Sequence, residues 1–220
     1  LKNCSRPPAD CRRCPRLVAL RAQVREQHPD YHAAPVAAWG RRSARLLIVG
    51  LAPGMHGANR SGRPFTGDAS GDFLFAGLYR AGLVDHGQAD RARLRDIRIT
   101  NAVKCLPPGN RPSGAELSAC RGYLAAELVE LIGEKPRRNR IVLCLGTLAH
   151  DAVRRVLRET LSGCSPESLP SFSHDQCLQL ARFLWLQDCY HPSRLNTSTR
   201  RLTPDMLDRV LVRTRELLGD

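Results

Sequence analysis

A chain of 220 residues, 42% hydrophobic and 25% charged, is long enough for one domain with a substantial core and too apolar to be disordered. Its 34 Lys and Arg against 21 Asp and Glu leave a formal charge of +13, which favours a polyanionic partner because neutralised phosphates release condensed counterions. No apolar run approaches the roughly 20 residues of a membrane helix and Leu1–Arg16 has no secretory h-region, so a cytoplasmic protein away from membranes is expected.

In chain order, the first buried strand reads as Arg45–Leu51, a short apolar run ending in a Pro-Gly turn. A Gly-rich loop follows, then a helix over Gly71–Ala81. Asp96–Val103 alternates as a second strand before a Pro-Pro-Gly loop. Ser113 and Glu116 form a capping box for a helix over Gly114–Ile132. Ile141–Gly146 is a third strand and Thr147–Arg158 a third helix. Leu161–Leu178 reads as a surface excursion, Phe183–Gln187 as the fourth strand, and Thr203–Leu218 as the last helix, with Pro204 in its first turn. Strands alternating with helices predict an α/β fold with a mainly parallel sheet, in one domain spanning residues 1–220. Ligands of such sheets sit beyond the carboxyl ends of the strands, which points to the loops after Leu51, Asn101 and Cys189.

The first of these loops runs from Gly50 to Gly71 with six glycines, which let backbone approach a ligand closely, yet it has neither Walker A nor G-x-G-x-x-G spacing. Asp68 before a helix has the ordinary reading of an N-cap. Asn101 ends a strand and carries the acceptor and donors that read a nucleobase edge; its plain alternative is a turn cap. His191 stands beyond the fourth strand in His-Pro-Ser-Arg-Leu-Asn. The basic run Lys135, Arg137, Arg138 and Arg140 precedes a strand, away from these loops, and reads as a solvated turn.

Nine cysteines without an export signal argue for metal ligation rather than disulfides. Cys11-Arg12-Arg13-Cys14 is a C-x-x-C, and Cys105 and Cys120 lie in the second loop and its helix. Four thiolates suit either a tetrahedral zinc or an iron–sulfur cluster, and spacing alone does not separate the two. Cys4 could stand in for Cys11. Cys144 reads as core and Cys189 as buried. Cys164, His174 and Cys177 could make another site, although a variable insertion accounts for them as well.

Together, Gly-Leu-Ala-Pro-Gly running to Gly-Arg-Pro-Phe-Thr-Gly-Asp, Thr-Asn-Ala-Val-Lys-Cys, and His-Pro-Ser-Arg-Leu-Asn resemble the family-5 uracil-DNA glycosylases, in order and spacing from Cys11 to the last helix. The resemblance implies a three-layer α/β/α sandwich around a four-stranded parallel sheet. It also implies a structural 4Fe–4S cluster on Cys11, Cys14, Cys105 and Cys120, two of them within an N-terminal segment over residues 1–40. The implied activity is monofunctional excision of uracil, and of other deaminated bases such as hypoxanthine, from DNA by a monomer. Phe65 would stack on the flipped base, with Ala52 and Gly54 beside it; Asn101 would read O4 and N3–H; His191 would donate to O2; Asp68 would handle the water or the sugar cation. Leu195 would wedge into the duplex, with Arg194, Asn196, Arg200 and Arg201 on the DNA. The turn Leu51-Ala52-Pro53-Gly54 lacks the acidic or amide residue of other branches, as family 5 does, which leaves the water-activating group open; His56 and Asn59 are the next candidates after Asp68. Lys104, beside Cys105, is expected to turn away from the sugar. The competing readings are a catalytically inactive iron–sulfur DNA-binding module of the same fold and a phosphate-handling hydrolase, the latter lacking acidic metal ligands.

Overall fold

The computed structural model describes residues 4–134, 136–160 and 169–219. Its strands are β1 (Trp39–Gly40), β2 (Leu46–Gly50), β3 (Ile97–Asn101), β4 (Arg140–Leu145), β5 (Cys177–Ala181) and β6 (Leu184–Cys189). Its helices are α1 (Pro15–Gln27), α2 (Ala58–Ser61), α3 (Ala69–Arg80), α4 (Gly114–Ile132), α5 (Thr147–Thr160), α6 (Arg194–Ser198) and α7 (Pro204–Leu218).

The strands form one sheet in the order β1-β3-β2-β4-β6-β5. β3, β2, β4 and β6 pair parallel to one another, while β1 and β5 run antiparallel at the two edges. β2 lies between two parallel neighbours and every one of its residues is buried, as continuous apolar composition requires of a strand covered on both faces. Its side chains alternate between two cores. Leu46 and Ile48 pack with Leu74, Phe75 and Leu78 of α3 and Leu207, Val210 and Leu211 of α7. Leu47 and Val49 pack on the other face with Leu124 and Leu128 of α4 and Val153, Val156 and Leu157 of α5. Full burial of such side chains contributes roughly 1.5–3 kcal/mol each.

Among the described residues the sheet therefore has six strands, where the sequence suggests four. β1 is two residues long, and Gly40, at φ +111°, breaks any strand pattern there. β5 begins in the last two residues of the expected excursion and runs past it: residues 177–181 are a mix of half-buried and exposed positions on an edge, too weak a pattern to stand out. Cys177 is thereby a strand residue. Cys164, with residues 161–168, and Lys135 lie outside the described residues. α1 is also absent from the sequence reading; only Leu17, Arg21 and Val24 of its thirteen residues are buried, so no apolar stripe marks it. Among the described residues, no helix is long and apolar enough to cross a membrane.

Candidate active site

Parallel pairing sets Gly50 beside Asn101 at the carboxyl end of the sheet. There a pocket of about 580 Å³ opens, lined by residues of all three loops, among them Ala52, Gly54, Phe65, Asp68, Asn101 and His191. Leu195 and Arg194 stand at its rim.

Phe65 is buried at φ +52°, a left-handed conformation that a β-carbon makes costly, and its ring centroid lies 5.8 Å from that of His191. The neighbouring backbone must be glycine for this ring to fit. A β-carbon on Gly50 would come 2.7 Å from the Phe65 ring and 2.5 Å from Asn101 Oδ1, and one on Gly71 would meet the Phe65 carbonyl. Asn101 is buried, and Lys104 holds it from behind. The Lys104 ammonium donates to the Asn101 carbonyl (2.8 Å), to Thr100 Oγ1 (2.6 Å) and to both Glu127 oxygens (2.8 Å each), with both charges out of water. Lys104 is thus fully committed away from the pocket.

The N-cap reading of Asp68 is seen directly, and its second oxygen is left out of the cap. One oxygen accepts the Gly71 amide at 2.9 Å and caps α3, while Oδ2 faces the loop, where β-carbons on Gly57 and Gly54 would come within 1.9 and 3.3 Å of it. His191 packs in the wall, and loss of water around the ring pushes its pKa down to about 4, with the Asp68 charge opposing. At neutral pH the ring is uncharged, and among the described residues it has no hydrogen-bond partner. Its carbonyl accepts from Asn196 Nδ2 at 2.8 Å, so Asn196 braces the loop that carries it. Leu195 is 72% exposed, the most exposed large apolar side chain described. Arg200 and Arg194 are exposed, and the Arg201 guanidinium lies 4.7 Å over the Tyr190 ring.

Sequence reasoning missed two aromatic contacts that back residues beside the pocket. Tyr31 bonds His56 Nδ1 at 2.8 Å and stacks on His28 at 4.4 Å, which brings the stretch after α1 to the pocket rim. Tyr190 stacks on His174 at 4.7 Å, so His174 serves an aromatic cluster beside β6. Single aromatics in irregular segments carry no periodic signal that could announce either contact. Asn59 is buried but does not line the pocket.

The four cysteines converge although they come from distant positions. Cys11, Cys14, Cys105 and Cys120 line one void with Leu17, Arg21 and Tyr123, and all four are unpaired thiols. Burial, reinforced by the neighbouring thiols, pushes Cys14 up to about 11 and Cys105 to about 12, so thiolates there call for a bound cation. Zinc–sulfur bonds of about 2.3 Å would set tetrahedral sulfurs roughly 3.8 Å apart. Among the described residues, three such ligand atoms lie mutually within 4.8 Å only at Cys144, His150 and Asp188. The four-cysteine set is wider than that, which fits a multinuclear cluster better than one zinc ion. The Cys144 group is a core network instead: His150 binds Asp188 at 2.8 Å through Nδ1 and the Pro170 carbonyl at 3.1 Å through Nε2. Cys4 does not line the void, and its thiol donates to the Arg6 carbonyl. Cys189 is fully buried.

The carboxyl ends of the parallel strands thus share one pocket in which an aromatic ring (Phe65), a carboxamide (Asn101) and an imidazole (His191) come together. Residues 37–214 match the family model described as the uracil DNA glycosylase superfamily, to which this chain belongs. A type-5 uracil-DNA glycosylase of Mycobacterium leprae is 46% identical over 219 residues, covering 95% of this chain and 92% of the relative. A type-5 enzyme of Thermus thermophilus is 41% identical, covering 95% and 94%. A type-4 uracil-DNA glycosylase of Pyrobaculum aerophilum aligns over 58% of this chain at 36% identity.

Proposed function

We propose that this chain excises uracil from DNA, hydrolysing the N-glycosidic bond and leaving an abasic site with the strand intact. The observation that carries this reading is the single pocket uniting Phe65, Asp68, Asn101 and His191 with the exposed Leu195 at its mouth. A base inside a duplex is out of reach, so the nucleotide flips into the pocket, and Leu195 fills the gap it leaves. Uracil stacks on Phe65 beside Ala52 and Gly54. Asn101 accepts N3–H and donates to O4, a pattern that cytosine reverses.

As the C1′–N1 bond breaks, its electron pair leaves with the base and charge gathers on O2. The neutral His191 ring donates to that oxygen, and being uncharged it does so without titrating across the physiological range. Water adds to C1′. Asp68 Oδ2, free of the capping bond, accepts its proton or offsets the sugar's positive charge; the proton ends on the departed base. Lys104 is sequestered, which supports a hydrolytic rather than a Schiff-base route.

Cys11, Cys14, Cys105 and Cys120 hold a 4Fe–4S cluster, which supplies a structural cross-link between the N-terminal segment and the second loop. Arg194, Asn196, Arg200 and Arg201 lie on the DNA side, and the protein acts as a cytoplasmic, single-domain monomer built around four parallel strands. Oligonucleotides carrying uracil or hypoxanthine, incubated with the protein and cleaved by alkali at abasic sites, test the reading. Cleavage at uracil supports it. DNA binding without any abasic product would favour the inactive binding module instead.

A further inference from the structure

A second cleft, distinct from the base pocket, carries a surplus of positive charge. It encloses about 330 Å³ beside the β1 edge and is lined by Arg6, Trp39, Arg42, Arg63 and Arg98. One carboxylate serves this group. Glu130 accepts from Arg98 at 2.6 Å and pairs loosely with Arg42 at 3.5 Å, while Ser5 takes a further share of it at 2.8 Å. Arg98 is buried, and its Nε has no hydrogen-bond partner. No acceptor holds the guanidinium of Arg6 or Arg63 among the described residues. The Arg63 guanidinium carbon lies over the Trp39 ring, 5.1 Å from its centroid, and Trp39 stacks on Phe75 at 5.6 Å. The packed indole thus gives the Arg63 guanidinium an aromatic neighbour within cation–π range.

The cleft is joined to the pocket by two routes. Arg63 precedes Phe65 by two residues, at most about 7.6 Å between their Cα atoms. Arg98 precedes Asn101 by three steps of β3, roughly 10 Å. Among the described residues, four guanidiniums gathered in one cleft against one carboxylate suit phosphate groups, which a planar guanidinium binds well.

We infer that this cleft seats the phosphodiester backbone of the DNA strand flanking the flipped nucleotide, with Arg63 and Arg6 as direct contacts and Trp39 as the residue that positions Arg63. The inference rests on reading the chain as a DNA glycosylase, and the test separates the two. Single-turnover excision of a uracil duplex is measured against protein concentration at several salt concentrations. Binding of uracil-free duplex is followed in parallel by fluorescence anisotropy, for wild type, Arg63→Ala, Arg63→Lys and the Arg6→Ala/Arg42→Ala double variant.

For Arg63→Ala, half-saturation should rise roughly fivefold near 0.15 M salt and the slope of log K against log salt should shrink by about 0.9, the signature of one lost phosphate contact. The saturated rate should stay within about threefold of wild type, since the contact is made equally before and during bond breaking. Arg63→Lys should recover the slope because it keeps the charge. Unchanged melting temperatures would show that the variants fold. An unaltered slope in both Arg63→Ala and the double variant overturns the inference, as does displacement of a mononucleotide from the cleft by inorganic phosphate but not by DNA. Wild-type protein that binds DNA with the steep slope yet excises nothing would overturn the glycosylase reading and leave the cleft standing.

Discussion

Asp68 offers the sharpest test of the site because its two oxygens have different surroundings. Replacement by Asn keeps an oxygen to accept the Gly71 amide at the start of α3, and Asn caps helices about as well as Asp. It removes the charge at Oδ2, which faces Gly54 and Gly57 in the pocket wall. Replacement by Ala removes both. The cap is worth about 0.5–2 kcal/mol. At about 2–4 °C per kcal/mol for a domain of this size, Asp68→Ala should melt roughly 1–8 °C lower, whereas Asp68→Asn should melt close to wild type. Excision should fall in both, by roughly 10²–10³-fold, the scale of one lost electrostatic stabiliser of a developing charge. Asp68 also raises the His191 pKa against burial, so either variant should move the acid limb of the pH–rate profile lower still. Single-turnover rates on uracil DNA, measured beside thermal melts, decide the matter. If Asp68→Asn excises at the wild-type rate, the carboxylate is a cap alone, and water handling must be sought at His56.

Other consequences are as direct. His191→Ala should lower the saturated excision rate by about 10²–10³-fold while leaving affinity for uracil DNA nearly unchanged, because the donor acts on charge that appears only in the transition state; a collapse of binding with an intact rate would contradict this. With His191 at about 4, wild-type activity should not titrate through this ring between pH 5 and 8, and should fall as pH approaches 4. Its folded value is below the ordinary 6.5, so the unfolded chain takes up its proton first: its contribution to stability is complete above 6.5 and is lost as pH falls toward 4, which acid melts would register. Protein purified with its cluster should be brown with a broad band near about 400 nm, and Cys105→Ser should lose it; colourless protein with stoichiometric zinc would refute the assignment. Lys104→Met should destabilise by roughly 3–5 kcal/mol by stranding the buried Glu127 charge, and Lys104→Met/Glu127→Leu should recover much of that; borohydride should trap no covalent adduct with DNA in the wild type.

The parallel strands and long helices were legible because their residues answer to simple periods: β2 is apolar throughout, and the Ser113–Glu116 capping box announces α4, where both bonds are made. β5, β1 and α1 were not, since an edge strand or a helix touching the body at three residues needs little apolar pattern. In the site, Phe65, Asp68, Asn101 and His191 could be picked out by motif, but their convergence depends on the parallel register that sets Gly50 against Asn101. Tyr31 and the basic cleft around Trp39 were out of reach, because they join residues more than 20 positions apart across loops with no repeating signal. The sum of the charge is plain in the sequence, and its clustering is not. The run from Arg137 to Arg140 stands out in the sequence, yet the arginines that gather in a cleft are scattered from Arg6 to Arg98.

The crowding around Phe65 changes what the glycines of the first loop mean. A Gly-rich loop beside a pocket invites the idea of a flap that closes on its ligand. Here Gly50, Gly57 and Gly71 each occupy a place where a methyl group would collide with Phe65, Asn101 or Asp68. Their smallness lets the wall be dense, and density holds Phe65 at a backbone angle it would not choose alone. The cost of ordering that aromatic falls on folding, so whatever enters the pocket meets a rigid mould. Such a loop tolerates little drift: alanine at Gly50 or Gly57 would add a single carbon atom and yet reshape the cavity by displacing the very groups that line it.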